Sequence, residues 1–199
     1  MDQMKRRDFL LGTAGMLTVT GLGLSVSGCG ATSSAQVTKS GDQRRGGLDS
    51  GADSALTRLY TTVPGTRELV QKANGALVFP SVIAAGLGVG GQYGEGPLRV
   101  AGKTVDYYSM ASVSVGLQIG AQSKAVFFLF MTQDALNQFR RSEGWSAGVD
   151  ASVAVAKVGA NGTLDLSTVT GPVVAFVLTN AGLMANLTLE GTKITRLKS

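Results

Sequence analysis

The chain has no histidine, one cysteine and four prolines, and only 16% of its 199 residues are charged. Each shortage closes off chemistry. Without histidine, neither a Ser-His-Asp nor a Cys-His nucleophile system can be assembled. A zinc site of the ordinary His/Cys type is excluded on the same ground. One cysteine allows no intrachain disulfide, so an oxidising compartment is permitted but not required. No basic run with interleaved aromatics appears, which argues against nucleic acid. The expectation is a non-enzymatic protein with no cofactor and no metal.

Glycine, in contrast, is abundant at 28 residues, and 44% of the chain is hydrophobic. That is enough apolar surface to offset chain entropy, so the composition is not that of a disordered chain. Glycine at this level, alongside Val, Ser and Thr, fits a sheet whose strands bend or approach closely. The length suits one domain after removal of a leader.

The first segment reads as an address. Lys5-Arg6-Arg7 precede a moderately apolar stretch, Phe9 to Val26, diluted by Gly12, Gly15, Gly21 and Gly23. This is a signal-peptide pattern and is kept out of fold reasoning. Arg6-Arg7-Asp8-Phe9-Leu10 looks like a twin-arginine export signal. Val26-Ser27-Gly28-Cys29 resembles a lipobox, whose cysteine is acylated and becomes the mature N-terminus. Acyl chains bind membrane at about 0.8 kcal/mol per buried methylene, so Cys29 is the expected lipidation site. The alternative is an uncleaved transmembrane anchor, since the stretch approaches the roughly 20 residues a spanning helix needs. Gly30, rather than Asp, follows Cys29, which by analogy with lipoprotein sorting favours the periplasmic face of the outer membrane. The net charge is +5. Three cations against two carboxylates leave +1 of it in the leader and +4 beyond Cys29, a balance that suits anionic lipid headgroups.

Residues 30–52 are polar and glycine-rich and read as a flexible tether. The domain is expected over 53–199. Asp53 or Ser54 caps a first helix with Leu56, Leu59 and Tyr60 on one face. Val63-Pro64-Gly65 interrupts it, and a second helix follows with Leu69, Val70 and Ala73 buried and Gly75 as its stop. Ala76 to Pro80 is a short strand ending at proline, and Val82 to Gly91 a glycine-rich one. Ser109 to Gly120 alternates, with Val113, Val115, Leu117 and Ile119 on one face of a half-buried strand. The apolar run Phe127-Phe128-Leu129-Phe130 predicts a central strand covered on both faces.

Thr132 caps a helix over 133–141, with Asp134 in its first turn and Arg140 and Arg141 in its last. Three strands follow, over 148–158, 173–178 and 183–190, with Asn161-Gly162 as a hairpin turn. The fold class is α+β: a mostly antiparallel, barrel-like β-sheet with N-terminal helices and one helix between strands.

Several motifs are better read as structure. Gly86-Leu87-Gly88-Val89-Gly90-Gly91 contains G-x-G-x-x-G, but Tyr93 to Pro97 cannot open the helix a dinucleotide site requires. Gly102-Lys103-Thr104 is a turn, because Pro97 removes a donor that a phosphate cradle needs. Glu95, Asp106, Asp150 and Asp165 show no pairing in their spacing and read as solvated acids. Trp145 fits core packing better than a membrane-interface role. Two basic sets stand out: Arg58, Arg67 and Lys72 on the helices, and Lys193, Arg196 and Lys198 at the end.

From about Leu56 to Leu197 the chain resembles the SYLF, or Ysc84, family in its bacterial lipoprotein branch. The resemblance is carried by residues 72–80, Gly86 through Gly96, Tyr107-Tyr108, residues 114–122, residues 134–139 and Gly144-Trp145. It implies a lipid-binding module, with membrane phospholipid as partner and the headgroup contact at Arg58, Arg67 and Lys72. Eukaryotic relatives are associated with phosphoinositides and actin. There is no SH3 partner domain here, and the export signal argues against carrying actin over. An envelope protein-interaction module without headgroup binding is the alternative.

Overall fold

The computed structural model describes residues 32–116, 122–157, 163–165, 169–184, 189 and 191–198. The leader, Cys29 and the Asn161-Gly162 turn lie outside the described residues.

Helix α1 spans Thr32–Thr62 and α2 spans Thr66–Lys72. Strands β1 (Gly75–Val100), β2 (Lys103–Gly116) and β3 (Gln122–Phe130) follow. Helix α3 is Gln133–Arg141. Five short strands complete the chain: β4 (Trp145–Ser146), β5 (Val153–Val155), β6 (Val173–Thr179), β7 (Gly182–Leu183) and β8 (Lys193–Arg196). Among the described residues no helix is long and apolar enough to cross a membrane.

The strand order is β4-β8-β2-β1-β3-β6-β5, with β7 beside β6, and only β5–β6 is parallel. β4 and β5 therefore occupy opposite ends of the order, although just six residues (147–152) separate them. Laid flat, six steps of about 4.8 Å would place the two ends roughly 29 Å apart. Seven peptide steps reach at most about 24 Å. The sheet has to curl, as the expected barrel-like architecture requires, and Ala147 forms a bridge with Ala151 inside the connection.

Curling covers both faces of the sheet over β3 and β6. Phe128, Phe130, Val173 and Val177 point inward to a core closed by Leu136 and Phe139 of α3 and by Trp145. Phe127, Leu129, Val174 and Phe176 point the other way, onto Leu56, Leu59 and Val63 of α1 and Leu69 of α2. The uncharged run of β3 thus serves both cores, as its lack of alternation predicts. Thr132 caps α3 by accepting from the Ala135 amide at 3.2 Å.

The two strands expected over 76–91 are one. β1 continues through Pro80, and the register with β3 shifts between Phe79 and Val82. A bulge accommodates a residue with no N–H to give the ladder. β1 then doubles back on itself. A Cβ on Gly96 would lie 1.8 Å from the Val78 carbonyl oxygen, and one on Gly94 would lie 2.9 Å from that of Ser81. Backbone rests on backbone there, and only glycine leaves the room. Ala101 and Gly102, both at positive φ, make the turn into β2.

Three further expectations are corrected. Residues 32–52, read as tether, are helical and continuous with α1. Gly51 in this stretch sits against Pro80. Gly75 opens a strand instead of stopping α2; a Cβ there would lie 2.8 Å from Leu136 Cδ1. Val113 does not lie on the buried face of β2: it is 78% exposed, while Tyr108 and Met110, of the opposite parity, are buried. Leu117 and Ile119 lie outside the described residues.

Candidate functional site

Two clusters of polar side chains and one largely apolar cavity are formed by this fold. The first joins the polar flank of α1 to the β1–β2 hairpin. Both Asp49 carboxylate oxygens are used, accepting from Thr104 Oγ1 at 2.7 Å and Tyr107 Oη at 2.8 Å. Arg99 Nη1 donates to Asp53, and Arg99 Nη2 donates to the Asp49 carbonyl at 3.1 Å. Arg44 grips Glu95 through Nε, at 2.9 Å, and Nη2, while Tyr93 Oη donates to the same carboxylate at 2.6 Å. Arg45 lies over the Tyr107 ring.

Charge follows geometry in this clasp. The Arg44 guanidinium, with Tyr93 adding to it, holds the Glu95 carboxyl below the usual carboxylate range. Arg99 does the same for Asp53. Burial, helped by Asp49, pushes the Tyr107 phenol up. A carboxylate whose folded pKa is depressed stabilises the fold above its unfolded value, about 4.3 for Glu, and that contribution is lost as pH falls through the folded value. Arg44 is largely exposed. After solvent screening the pair is worth about 0.5–1 kcal/mol. Glu95→Gln is therefore expected to lower unfolding stability by that amount at pH 7 and to match the parent protein in acid. A difference between the two that stays constant from pH 7 to pH 2 in urea melts would refute the clasp.

The second cluster sits where α3 ends beside β8. A hollow of about 260 Å³ is lined by Asn137, Arg140, Arg141 and Arg196. Arg196 is fixed in place: Nη2 donates to the Arg140 carbonyl at 2.9 Å and to Tyr108 Oη at 3.3 Å, and Asp106 stands 3.5 Å away. Burial raises the Tyr108 phenol. Among the described residues, no carboxylate pairs with Arg140 or Arg141. Of these three guanidinium groups, Arg196 alone has a carboxylate beside it. A neighbouring hollow adds Arg45 and Lys198 along the same side of Arg196.

The third feature is a cavity of about 490 Å³ between α1, α2 and the β1–β2 turn, with Leu56, Tyr60, Val70 and Ala76 in its walls and Arg99 and Asp53 as its charged members.

The sequence-predicted residues fall differently. Arg58, Arg67 and Lys72 are all exposed. Arg67 lies over the Tyr60 ring, 4.4 Å from its centroid. Arg58 and Lys72 have no side-chain partner among the described residues. Of the four carboxylates considered for chemistry, Glu95 and Asp106 are ion-paired and Asp150 accepts from the Ser146 amide at 2.6 Å. The Asp165 amide donates to the Lys157 carbonyl. Lys124 is buried in β3, which lowers its pKa. Among the described residues, no three His, Cys, Asp or Glu side chains converge as a metal site would require.

The arginine hollow is built from α3 and β8, and residues 111–199, which contain both, match a family model described as Las17-binding protein actin regulator, Ysc84. Over those residues the chain is similar to the Ysc84 family. The match takes in the end of β2, β3, α3 and all later strands, so the arginine hollow lies within the Ysc84 stretch. The α1–α2 cations and the 490 Å³ cavity precede it. No curated protein matches the chain.

Neither Arg99 nor the pairing of Arg140 and Arg141 with Arg196 was singled out from sequence. The two helix-end arginines read as dipole partners, and Arg196 lies 56 positions beyond the first of them.

Proposed function

We propose that the protein is an exported envelope lipoprotein, anchored through Cys29, whose Ysc84 domain binds phospholipid membranes. The observation that carries this reading is the arginine hollow: three guanidinium groups, of which Arg196 alone has a carboxylate beside it, Arg140 and Arg141 pairing with none among the described residues. A guanidinium presents planar donor pairs that match phosphate oxygens. Each cation near an anionic bilayer is worth about 1 kcal/mol. Exposed Arg58, Arg67 and Lys72 add a second basic surface. The acyl chains on Cys29 supply the durable attachment, and the domain then acts at high effective concentration beside the headgroups. The periplasmic face of the outer membrane is the proposed location, on the strength of Gly30.

A chain lacking residues 1–28 and carrying Cys29→Ser is expected to float with phosphatidylglycerol vesicles at low ionic strength. Arg140→Gln, Arg141→Gln and Arg196→Gln together are expected to weaken this by roughly 100-fold, about 1 kcal/mol for each charge. The matching triple change at Arg58, Arg67 and Lys72 shows whether the helices share the contact. A folded protein that ignores every vesicle would sink the membrane reading. Mass spectrometry of the mature N-terminus tests the acyl group on Cys29 independently.

A protein partner is the second reading. β8 covers β2 over Tyr108–Ala111, and among the described residues nothing pairs with that edge over Ser112 to Gly116, where Val113 is exposed. Such an edge accepts an added strand. The family description, Las17-binding, is also that of a protein-binding module.

A further inference from the structure

We infer that the cavity between α1, α2 and the β1–β2 turn binds the carboxylate and proximal chain of a single-chain amphiphile, a fatty acid being the chemical type. Its volume, about 490 Å³, falls in the range of small-molecule sites, roughly 300–1,000 Å³. Most of its wall is apolar, from Leu56, Val70, Ala73 and Ala76, with the Tyr60 ring beside them. A purely polar ligand would leave that wall uncovered.

The charged end is set by Arg99. Its Nε is buried and, among the described residues, has no hydrogen-bond partner. The same molecule shows what that edge of a guanidinium does when it is filled: Arg44 uses Nε and Nη2 together to hold both oxygens of Glu95. In Arg99 the corresponding edge is half used, with Nη2 on the Asp49 carbonyl and Nε on nothing. A buried donor without an acceptor costs about 1–3 kcal/mol, and a carboxylate offers the planar pair of oxygens that fits the vacant edge. Asp53, the carboxylate already on Nη1, is 64% exposed and therefore weakly held. One guanidinium partly neutralised by Asp53 favours a monoanion; a phosphate dianion would bring a charge that nothing in the cavity balances.

The inference is independent of vesicle binding, because the ligand is a monomer in solution. Calorimetric titration of the full chain with laurate, kept below its micelle concentration, is expected to saturate at one molecule per chain. Dodecanol (chain without charge), acetate (charge without chain) and dodecyl phosphate (a second charge) are expected to bind at least about tenfold more weakly. Val70→Trp, which fills the cavity, is expected to abolish laurate binding, and Arg99→Gln to weaken it at least tenfold. Asp53→Asn removes the competing carboxylate and is expected to tighten laurate several-fold, a gain that a merely structural role for Arg99 does not produce. Should Arg99→Gln fail to fold, the Asp53 and Val70 variants decide. The inference is overturned by no saturable laurate binding, or by equal affinity for laurate and dodecanol with no response to Asp53→Asn.

Discussion

Gly96→Ala is expected to cost at least about 3 kcal/mol, or to prevent folding, because the added methyl has nowhere to go. Its position is 1.8 Å from the Val78 carbonyl oxygen, 2.7 Å from the Val78 carbonyl carbon and 2.9 Å from Phe79 Cα. All three are backbone atoms, so no rotamer change relieves the clash. Ordinary overpacking costs about 1–3 kcal/mol because side chains share the strain. Here the two halves of β1 must separate, and each carries buried residues of the inner core, Leu77 and Phe79 on one and Leu98 on the other. Two controls isolate the effect. Gly91→Ala meets only Ser112 O at 4.0 Å, and Gly102→Ala meets nothing within 4 Å but sits at φ +77°. The first is expected to be near neutral and the second to cost about 1–2 kcal/mol of backbone strain. Urea melts order the three. Gly96→Ala lying within 1 kcal/mol of the parent would mean that β1 does not fold back on itself.

Trp145→Ala is expected to cost about 3–5 kcal/mol, the range for emptying a large aromatic site. The ring is 2% exposed and meets Phe139 at 5.6 Å, Phe128 at 5.9 Å and Phe130 at 6.4 Å between centroids. Each of these pairs is near edge-to-face, a geometry that adds to simple burial. β4 is only two residues long and has β8 alone as partner, so its hold on the sheet comes mainly from this ring. Trp145→Phe, which keeps an aromatic in the site, is expected to lose less than half as much. Melts followed by circular dichroism suit both variants, since the chain has no other tryptophan. A loss under 1 kcal/mol for the alanine variant would place the ring at the surface.

The parts legible in sequence are those where one residue type has one physical use. The Phe127–Phe130 run lacks alternation, and β3 is buried on both faces. Thr132, Asp134, Arg140 and Arg141 mark the ends of α3 by capping and charge, and the helix has those ends. Other elements depend on partners distant in the chain. The middle of α1 is polar where it docks through Arg44, Asp49 and Asp53, and a search for apolar periodicity passes over it. Pro80 looks like a strand end unless a bulge is allowed. The Val113 face of β2 looks like core by alternation alone. It faces outward because the buried parity is fixed earlier, at Tyr108 and Met110.

The same contrast holds for the sites. Arg58, Arg67 and Lys72 were visible as cations on helices, and they are exposed. Arg99 sits between Leu98 and Val100 in a strand, where one charged residue signals nothing until the helix that meets it is known. Arg140, Arg141 and Arg196 become a site only through the pairing of β8 with β2.

That pairing has a consequence for synthesis. Arg196 lies opposite Tyr108, 88 residues earlier, and Ile194 lies opposite Trp145. Until residues 193–196 emerge from the ribosome, Trp145 lacks one wall and the inner core stays open to water. The domain is thus sealed by β8, and loss of that strand would leave the aromatic interior open.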